Sequence, residues 1–167
     1  MKTETPPTPD PFIVKIINAC KDRGTRAELR RYWSATTRHY AYPHLGHLGA
    51  LGEHKKPDAI TAALYAVNPN HIHGTSFGSA CHKLAGDAGF ESFERHFRRL
   101  LASENLEDVA DQLHRILKRM ERKSIELDYE KLLWNLRNWN KKSEDVKTRW
   151  AGDFWQAPAE FLSEAQS

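Results

Sequence analysis

The sequence predicts an all-α protein made of two small, packed helical bundles. Three observations support this prediction. Apolar residues recur at the helical period in most stretches between residues 10 and 156. No stretch shows a convincing alternation of apolar and polar residues, which is the pattern of a half-buried strand. Short turns join consecutive amphipathic segments, and such turns are typical of antiparallel neighbours in a bundle.

The first two helices are predicted from their starting residues. Asp10 suits an N-cap, and Pro11 suits the first helical position that follows it. Gly24 is the residue expected just after the end of this helix. Thr25 and Glu28 have the spacing of a capping box, so we expect a second helix to begin at Thr25.

The next segments alternate between helices and breaks. Residues 36–57 contain several glycines and two prolines, and no single element is predicted there. A helix is predicted from Pro57 to Val67, and it is stopped by the polar loop 68–76. A short helix is predicted from Ser76 to Ala85. Residues 86–89, with two glycines, are expected to form a linker.

Four consecutive helices are predicted between Phe90 and Trp155. Asn105 is a good N-cap for the second of them, Leu106–Lys123, and Asp128 caps the third. Each helix has one apolar side. The predicted core positions are Phe90, Phe93, Phe97, Leu100, Leu101, Leu106, Val109, Leu113, Ile116, Leu117, Met120, Tyr129, Leu132, Leu133, Leu136, Trp139, Val146, Trp150 and Phe154.

These segments define four parts of the chain. Residues 1–9 contain three prolines and no periodicity, so we expect a flexible tail. Residues 10–89 are expected to form an N-terminal helical domain and residues 90–156 a C-terminal helical bundle. Residues 157–167 are expected to form a frayed tail.

The predicted helix Leu106–Lys123 is basic on the side opposite its apolar stripe. At about 100° per residue, the basic side contains Arg115, Lys118, Arg119 and Arg122. Polar helix faces are normally solvated, and cations near a helix C-terminus also interact favourably with its dipole. A basic face is therefore open to two interpretations, a solvated surface or an anion-binding surface.

Other cations occur in pairs. Arg30 and Arg31 lie together on the predicted second helix, and Lys141 and Lys142 follow the predicted third helix of the C-terminal bundle. Arginine pairs on short helices usually face solvent or acidic side chains. Trp134 lies off the apolar stripe of its helix. It is interpreted either as covering a domain interface or as a partly exposed ring lying across its neighbours.

Composition limits the class of protein. The net charge is +3, with 11 Lys and Arg against 7 Asp and Glu in residues 1–90 and 14 against 15 in residues 91–167. Positive charge in the second half therefore matters only where it is gathered on one face. No apolar run is long enough to span a membrane, and the N-terminus has no signal-peptide core, so we expect a cytoplasmic protein without a membrane partner. Cys20 and Cys81 match no metal or redox spacing and are interpreted as buried thiols.

Catalytic patterns are not evident. The sequence contains neither a phosphate-binding glycine loop nor a nucleophile elbow. Six histidines suggest a metal site, but their spacings lack the usual four-ligand arrangement; they are His44, His47, His54, His71, His73 and His82. We therefore expect no metal, no cofactor and no enzyme activity, and the simplest interpretation is a binding subunit.

Three blocks of residues resemble a known family. They are AELRR at 27–31, GTSFG at 74–78, and a long block from Phe93 that includes QLHRIL at 112–117 and LRNWNKK at 136–142. Their order and spacing resemble the small subunit of the type I-E CRISPR Cascade complex, the CasB family. The resemblance covers most of the chain.

The resemblance implies a specific role. Members of the family are all-helical and non-catalytic, and two copies lie beside the subunits that hold the guide RNA. Their basic surface holds the displaced non-target DNA strand and stabilises the R-loop. Positions that match basic residues of the family are Arg30, Arg31, Arg115, Lys141 and Lys142. Lys118, Arg119 and Arg122 are added from the helical wheel and not from the resemblance.

Three alternatives stay open at this point. The first is a helical adaptor whose basic faces pair with acidic surfaces of another protein. The second is a metal-dependent enzyme that uses the histidines of residues 44–82. The third is a helix-turn-helix reader of duplex DNA, although the helices bearing Arg30 and Arg115 lack an obvious recognition pair.

Overall fold

The computed structural model describes residues 10–155, and within this range it is helical without a strand. One isolated bridge joins His71 and Leu127. The α-helices are α1 Pro11–Ala19, α2 Arg23–Arg30, α3 Tyr42–His47, α4 Lys56–Val67, α5 Phe77–Ala88, α6 Phe90–Leu101, α7 Leu106–Arg122, α8 Tyr129–Arg137 and α9 Trp139–Trp155, with short 3₁₀ turns at Arg31–Trp33 and Arg38–Tyr40. The predicted all-α class is confirmed. No helix in the described part of the chain has the length and apolar character needed to cross a membrane.

Side-chain caps start several of these helices. Asp10 accepts a hydrogen bond from the backbone N–H of Phe12, and Asn105 accepts one from Asp108, as their sequence context predicts. The predicted start of the second helix is wrong. Asp22 caps α2 by accepting from Thr25, so Gly24 lies inside the helix and does not end α1. A carboxylate three residues before Thr25 supplies the cap that the capping box was expected to provide.

Helix α4 occupies the centre of one layer of packing. All its residues from Asp58 to Val67 are buried, as is typical of a helix that is apolar on all sides. It packs against α2, α7 and α8. The basic helix α7 is thereby held by its apolar side, with Val109, Leu113 and Leu117 fully buried.

Helix α5 forms the second centre of packing. Its contacts with α9 and with α6 are the two most extensive helix–helix contacts in the described structure. Residues 86–88 belong to α5, so the predicted linker there is wrong, and the chain turns at Gly89, which has φ of 100°. The division into domains 10–89 and 90–156 stays a prediction, because packing does not measure independent folding. The predicted tails 1–9 and 157–167 lie outside the described residues.

The start of α8 is fixed by a buried polar network. The Asp128 carboxylate accepts hydrogen bonds from the backbone N–H groups of Gly74, Glu130 and Lys131. Asn68 donates its side-chain amide to the carbonyl of Ile125 at 3.0 Å. These hydrogen bonds hold the loop after α4 against the segment before α8. They thereby position the exposed side of α8.

Helix α9 is bent near its start. Lys142 has φ of −134° and ψ of 30°, which is outside the helical region. Lys141 and Lys142 were predicted to follow a helix, but they lie within the first turn of α9, at this bend. Beyond the bend, Val146, Trp150 and Phe154 are buried as the sequence predicts.

Candidate nucleic-acid interface

Helix α7 presents its cations to solvent at the positions predicted by the helical wheel. Arg115, Lys118 and Arg122 are exposed, and Arg119 is half-buried. The opposite side is buried against α4 and α6. The amphipathic character predicted for α7 is therefore confirmed. Cations from two neighbouring helices, α2 and α6, lie beside its basic side.

One set of cations lies between α2 and α7. Arg30, Lys118 and Arg122 line an open depression of about 310 Å³, together with Val67, His114 and Glu121. We call Arg30, Lys118 and Arg122 the α2–α7 group. The fold thus brings together one cation from the first half of the sequence and two from α7. Arg31 follows Arg30 in the sequence, but its guanidinium lies 4.6 Å from the centre of the Tyr40 ring.

His114 lies against this group and is neutral at physiological pH. Its ring stacks on Trp33 with a centroid distance of 4.5 Å and an interplanar angle of 7°. Burial, and then the positive charges of Lys118 and Arg115, lower the pKa of His114 to about 4. The positive charge of the depression therefore comes from arginine and lysine.

A second set of cations lies between α6 and α7. Arg119 packs with its guanidinium 5.3 Å from the centre of the Phe93 ring. Burial, followed by the charges of Arg119, Arg99 and Arg95, lowers the pKa of His96. We call Arg95, Arg99 and Arg119 the α6–α7 group. Arg119 is thus directed to α6, whereas Arg122 faces the depression beside α2. Arg95 and Arg99 are exposed on α6, and nothing in the local sequence indicated that Arg119 joins them.

A third set surrounds Trp134. The Lys142 ammonium lies 5.9 Å and the Arg149 guanidinium 5.8 Å from the centre of the indole. Lys131 and Arg149 line a depression of about 190 Å³ beside the same ring. We call Lys131, Lys142 and Arg149 the α8–α9 group. Lys141 is exposed one residue before Lys142. Sequence reasoning missed Lys131 and Arg149, although Lys131 precedes Trp134 by three residues and therefore shares its helix face.

Three of the six histidines in residues 44–82 make hydrogen-bond contacts within the fold. The Nε2 atom of His44 lies 2.6 Å from the carboxylate of Glu28, and His71 Nδ1 accepts from the backbone N–H of Tyr129. The Nδ1 atom of His82 lies 2.9 Å from the carbonyl oxygen of Phe154. Within residues 10–155, no three His, Cys, Asp or Glu side chains are grouped so that they can hold a metal ion.

Both cysteines are buried free thiols, as predicted. Burial raises the pKa of Cys20 to about 11 and raises the pKa of Cys81 as well. Because the thiolate is the reactive form, burial disfavours the nucleophilic form of both side chains.

The comparison with protein families decides the identity of the chain. The model of the CRISPR-associated protein Cse2 family matches residues 25–155. The chain belongs to the Cse2 family. The predicted resemblance to CasB, the name used for some solved members, is therefore confirmed. The matched region includes all three groups of cations.

Solved structures agree with the Cse2 fold. A Cse2-family protein from Thermus thermophilus superposes with a TM-score of 0.72 at 23% identity, covering 87% of this chain and 96% of that one. CasB from Thermobifida fusca gives a TM-score of 0.66 at 19% identity, with coverages of 86% and 94%. A chain of a CRISPR RNA-guided surveillance complex gives 0.73 at 18% identity, with coverages of 93% and 95%. Among curated protein sequences, none matches the chain significantly.

Proposed function

We propose that this Cse2-family chain is a non-catalytic subunit of a CRISPR RNA-guided surveillance complex, Cascade. In this role it binds the sugar-phosphate backbone of the displaced, non-target DNA strand and stabilises the R-loop. Its partners are the other Cascade subunits with their guide RNA, the displaced strand, and a second copy of itself in the complex. Family membership and the likeness to a chain of such a complex support the proposal.

The observation that carries the DNA-binding part is the α2–α7 group. Arg30, Lys118 and Arg122 come from two helices and line one open depression. Lysine and arginine bind phosphate without reading bases. A subunit that stabilises an R-loop must not read sequence, since guide pairing does so. Grouped cations on a helical surface fit this requirement.

The energetics of R-loop formation make modest contacts sufficient. The RNA–DNA duplex that forms is about as stable as the DNA duplex that it replaces. A protein that holds the displaced strand by a few phosphates therefore shifts the balance toward the open state. Arg115, Lys141 and the α6–α7 and α8–α9 groups extend the surface available to that strand. Convergence of all these cations on one strand stays a prediction.

The test is binding of a fluorescent single-stranded oligonucleotide to the purified chain across a salt series. The triple variant Arg30→Gln, Lys118→Gln, Arg122→Gln is compared with the wild type, and Lys15→Gln, an exposed cation on α1, serves as control. We expect weaker, sequence-independent binding by the triple variant. Losing three phosphate contacts should reduce the slope of log affinity against log salt by about 2.

Two further variants divide the surface. Arg115→Gln removes one exposed cation of α7, and the pair Lys141→Gln, Lys142→Gln removes two from α9. Equal binding by the wild type and every variant, or no binding even at low salt, would overturn the proposal. The adaptor, in which the same cations face an acidic protein, would then replace it. A strong preference for one duplex sequence would instead favour the helix-turn-helix alternative.

A further inference from the structure

Trp134 is an indole that the packing of the core does not require. It is 42% exposed, whereas Trp139 and Trp150 are 1% and 2% exposed. Trp33 is half-buried under His114 and donates its indole N–H to the Ala63 carbonyl. Trp134 therefore offers an aromatic face to solvent within a group of three cations, which is the combination that single-strand binding sites use.

The surroundings of Trp134 are mainly basic. Lys142 and Arg149 lie just under 6 Å from the centre of its ring. Lys131 lines the depression beside the ring with Arg149 and Asn135. One acid, Asp153, also lines this depression, and its carboxylate accepts a hydrogen bond from the Ser76 hydroxyl at 2.6 Å.

This arrangement contains the two components of a single-strand binding site. Proteins that bind single strands without sequence preference combine cations that follow the backbone with aromatic rings on which bases stack. The cations of the α8–α9 group come from two helices, and the ring lies among them. The bend at Lys142 is part of the same site, because Lys142 is one of the cations over the ring.

We infer that Trp134 is a stacking platform for a nucleobase of single-stranded nucleic acid: the base takes the ring face over which Lys142 and Arg149 lie, and these cations together with Lys131 contact the flanking phosphates. The inference rests on the proposed function and deepens it. A phosphate track made only of cations accepts duplex and single-stranded DNA alike, whereas stacking requires an unpaired base. Trp134 thus gives the subunit a preference for the unwound strand, and any of the four bases can occupy the platform because each has an aromatic face.

The experiment separates base stacking from phosphate binding. Full-length wild type and Trp134→Leu are titrated with an oligothymidine strand and with an abasic strand of equal length, which has the same phosphates but no bases. Trp155→Leu is the matched control, because Trp155 is 38% exposed and packs on Phe97 and Arg98 outside this site. Trp134→Phe retains an aromatic face. Urea unfolding of each variant verifies that it is folded.

The expected result is specific to bases. Trp134→Leu should bind oligothymidine about 5- to 100-fold more weakly than the wild type, the usual effect of removing one stacking ring. Its binding to the abasic strand should be unchanged, Trp134→Phe should retain most of the affinity, and Trp155→Leu should bind as the wild type does. Equal losses on both strands, or no loss on either, would overturn the stacking platform while leaving the phosphate track intact. If the wild type binds neither strand at low salt, the proposed function itself fails.

Discussion

Gly78 lies where α5 and α9 pack most closely. It is buried, and a Cβ atom at this position would overlap the carbonyl oxygen of Trp150 and lie 2.9 Å from the Cβ of Asp153. Because both obstacles are close to the backbone, Gly78→Ala must push the helices apart. We expect it to lower the free energy of unfolding by about 2 kcal/mol or more, the usual effect of overpacking a core.

Gly86 is the matched control in the same helix. It is exposed, and a Cβ atom there meets nothing within 4 Å. Gly86→Ala should therefore raise the free energy of unfolding by up to about 1 kcal/mol through helix propensity alone. Urea unfolding of the two variants measures both effects. No loss of stability at Gly78 would contradict the packing of α5 on α9, whereas a loss at Gly86 would contradict its exposed position in the helix.

His114 makes stability depend on pH. Its pKa in the folded chain is about 4, compared with 6.5 ordinarily. Between these values the unfolded chain binds more protons than the folded chain. The free energy of unfolding therefore falls as the pH drops from about 6.5 toward 4. The stability that is linked to neutral His114 is fully present above about pH 6.5.

The variant His114→Gln removes this proton-linked contribution. We expect its free energy of unfolding to change less between about pH 7 and about pH 4.5 than that of the wild type. Urea unfolding at both pH values provides the comparison. His96→Gln is a useful second variant, because the pKa of His96 is also lowered and its removal should act in the same direction. An identical pH dependence in wild type and His114→Gln would refute the assignment.

At the scale of a single element, Asp128 does more than cap α8. It is 1% exposed and accepts from Gly74 in the preceding loop as well as from the first turn of α8. Asp128→Ala should lower the free energy of unfolding by about 2–3 kcal/mol, because a cap is lost and three partly buried N–H donors lose their acceptor. Asn105→Ala, at the exposed cap of α7, should cost only about 1 kcal/mol.

Thermal or urea unfolding measures this difference between the two caps. Both side chains accept a hydrogen bond from the backbone N–H three residues later, and Asp128 accepts a second one from Glu130. Equal losses would show that Asp128 is only a local cap and that the loop at Gly74 is held by other contacts.

The helices themselves could largely be predicted from the sequence, because their apolar stripes and caps are local features. The sequence predicted α6, α7 and α8 with their buried sides, including Phe93, Leu113 and Leu132. The prediction of Phe90 as a core residue is wrong, because its ring is 38% exposed at the start of α6. The sequence-based prediction was wrong where a second residue could cap the helix or where a glycine suggested a break. Asp22 took the capping role expected of Thr25, and Gly86 was tolerated inside α5 because Leu84 and Ala85 beside it are buried.

The candidate interface could be predicted only in part. A wheel places Arg115, Lys118 and Arg122 on the outer side of α7, because that depends on one helix alone. Grouping Arg30 with Lys118, or Arg149 with Trp134, depends on how distant segments pack. Neither pair has a sequence signature. The packing of distant segments therefore determines which cations lie together in each group.

At the scale of the whole molecule, the cations form separate groups that one long strand can link. The α2–α7 and α8–α9 groups lie on different pairs of helices, so a short oligonucleotide that fills one need not reach the other. A strand of about 6 nucleotides should engage a single group, whereas one of about 24 nucleotides is long enough to span several. If one strand crosses both groups, affinity should rise steeply with length over this range.

Charge variants measured with short and long strands test whether one strand binds both groups. For the long strand, the triple variant of Arg30, Lys118 and Arg122 and the pair variant of Lys142 and Arg149 should each weaken binding. Combining them should cost more than the sum of the two losses in log affinity, because linked contacts raise each other's effective concentration. For the short strand, each variant alone should have a smaller effect, because the unchanged group still binds the strand, and only the combined variant should remove most of the binding. If instead the losses are the same at both lengths, the groups act on separate strands, and a single strand does not cross both of them.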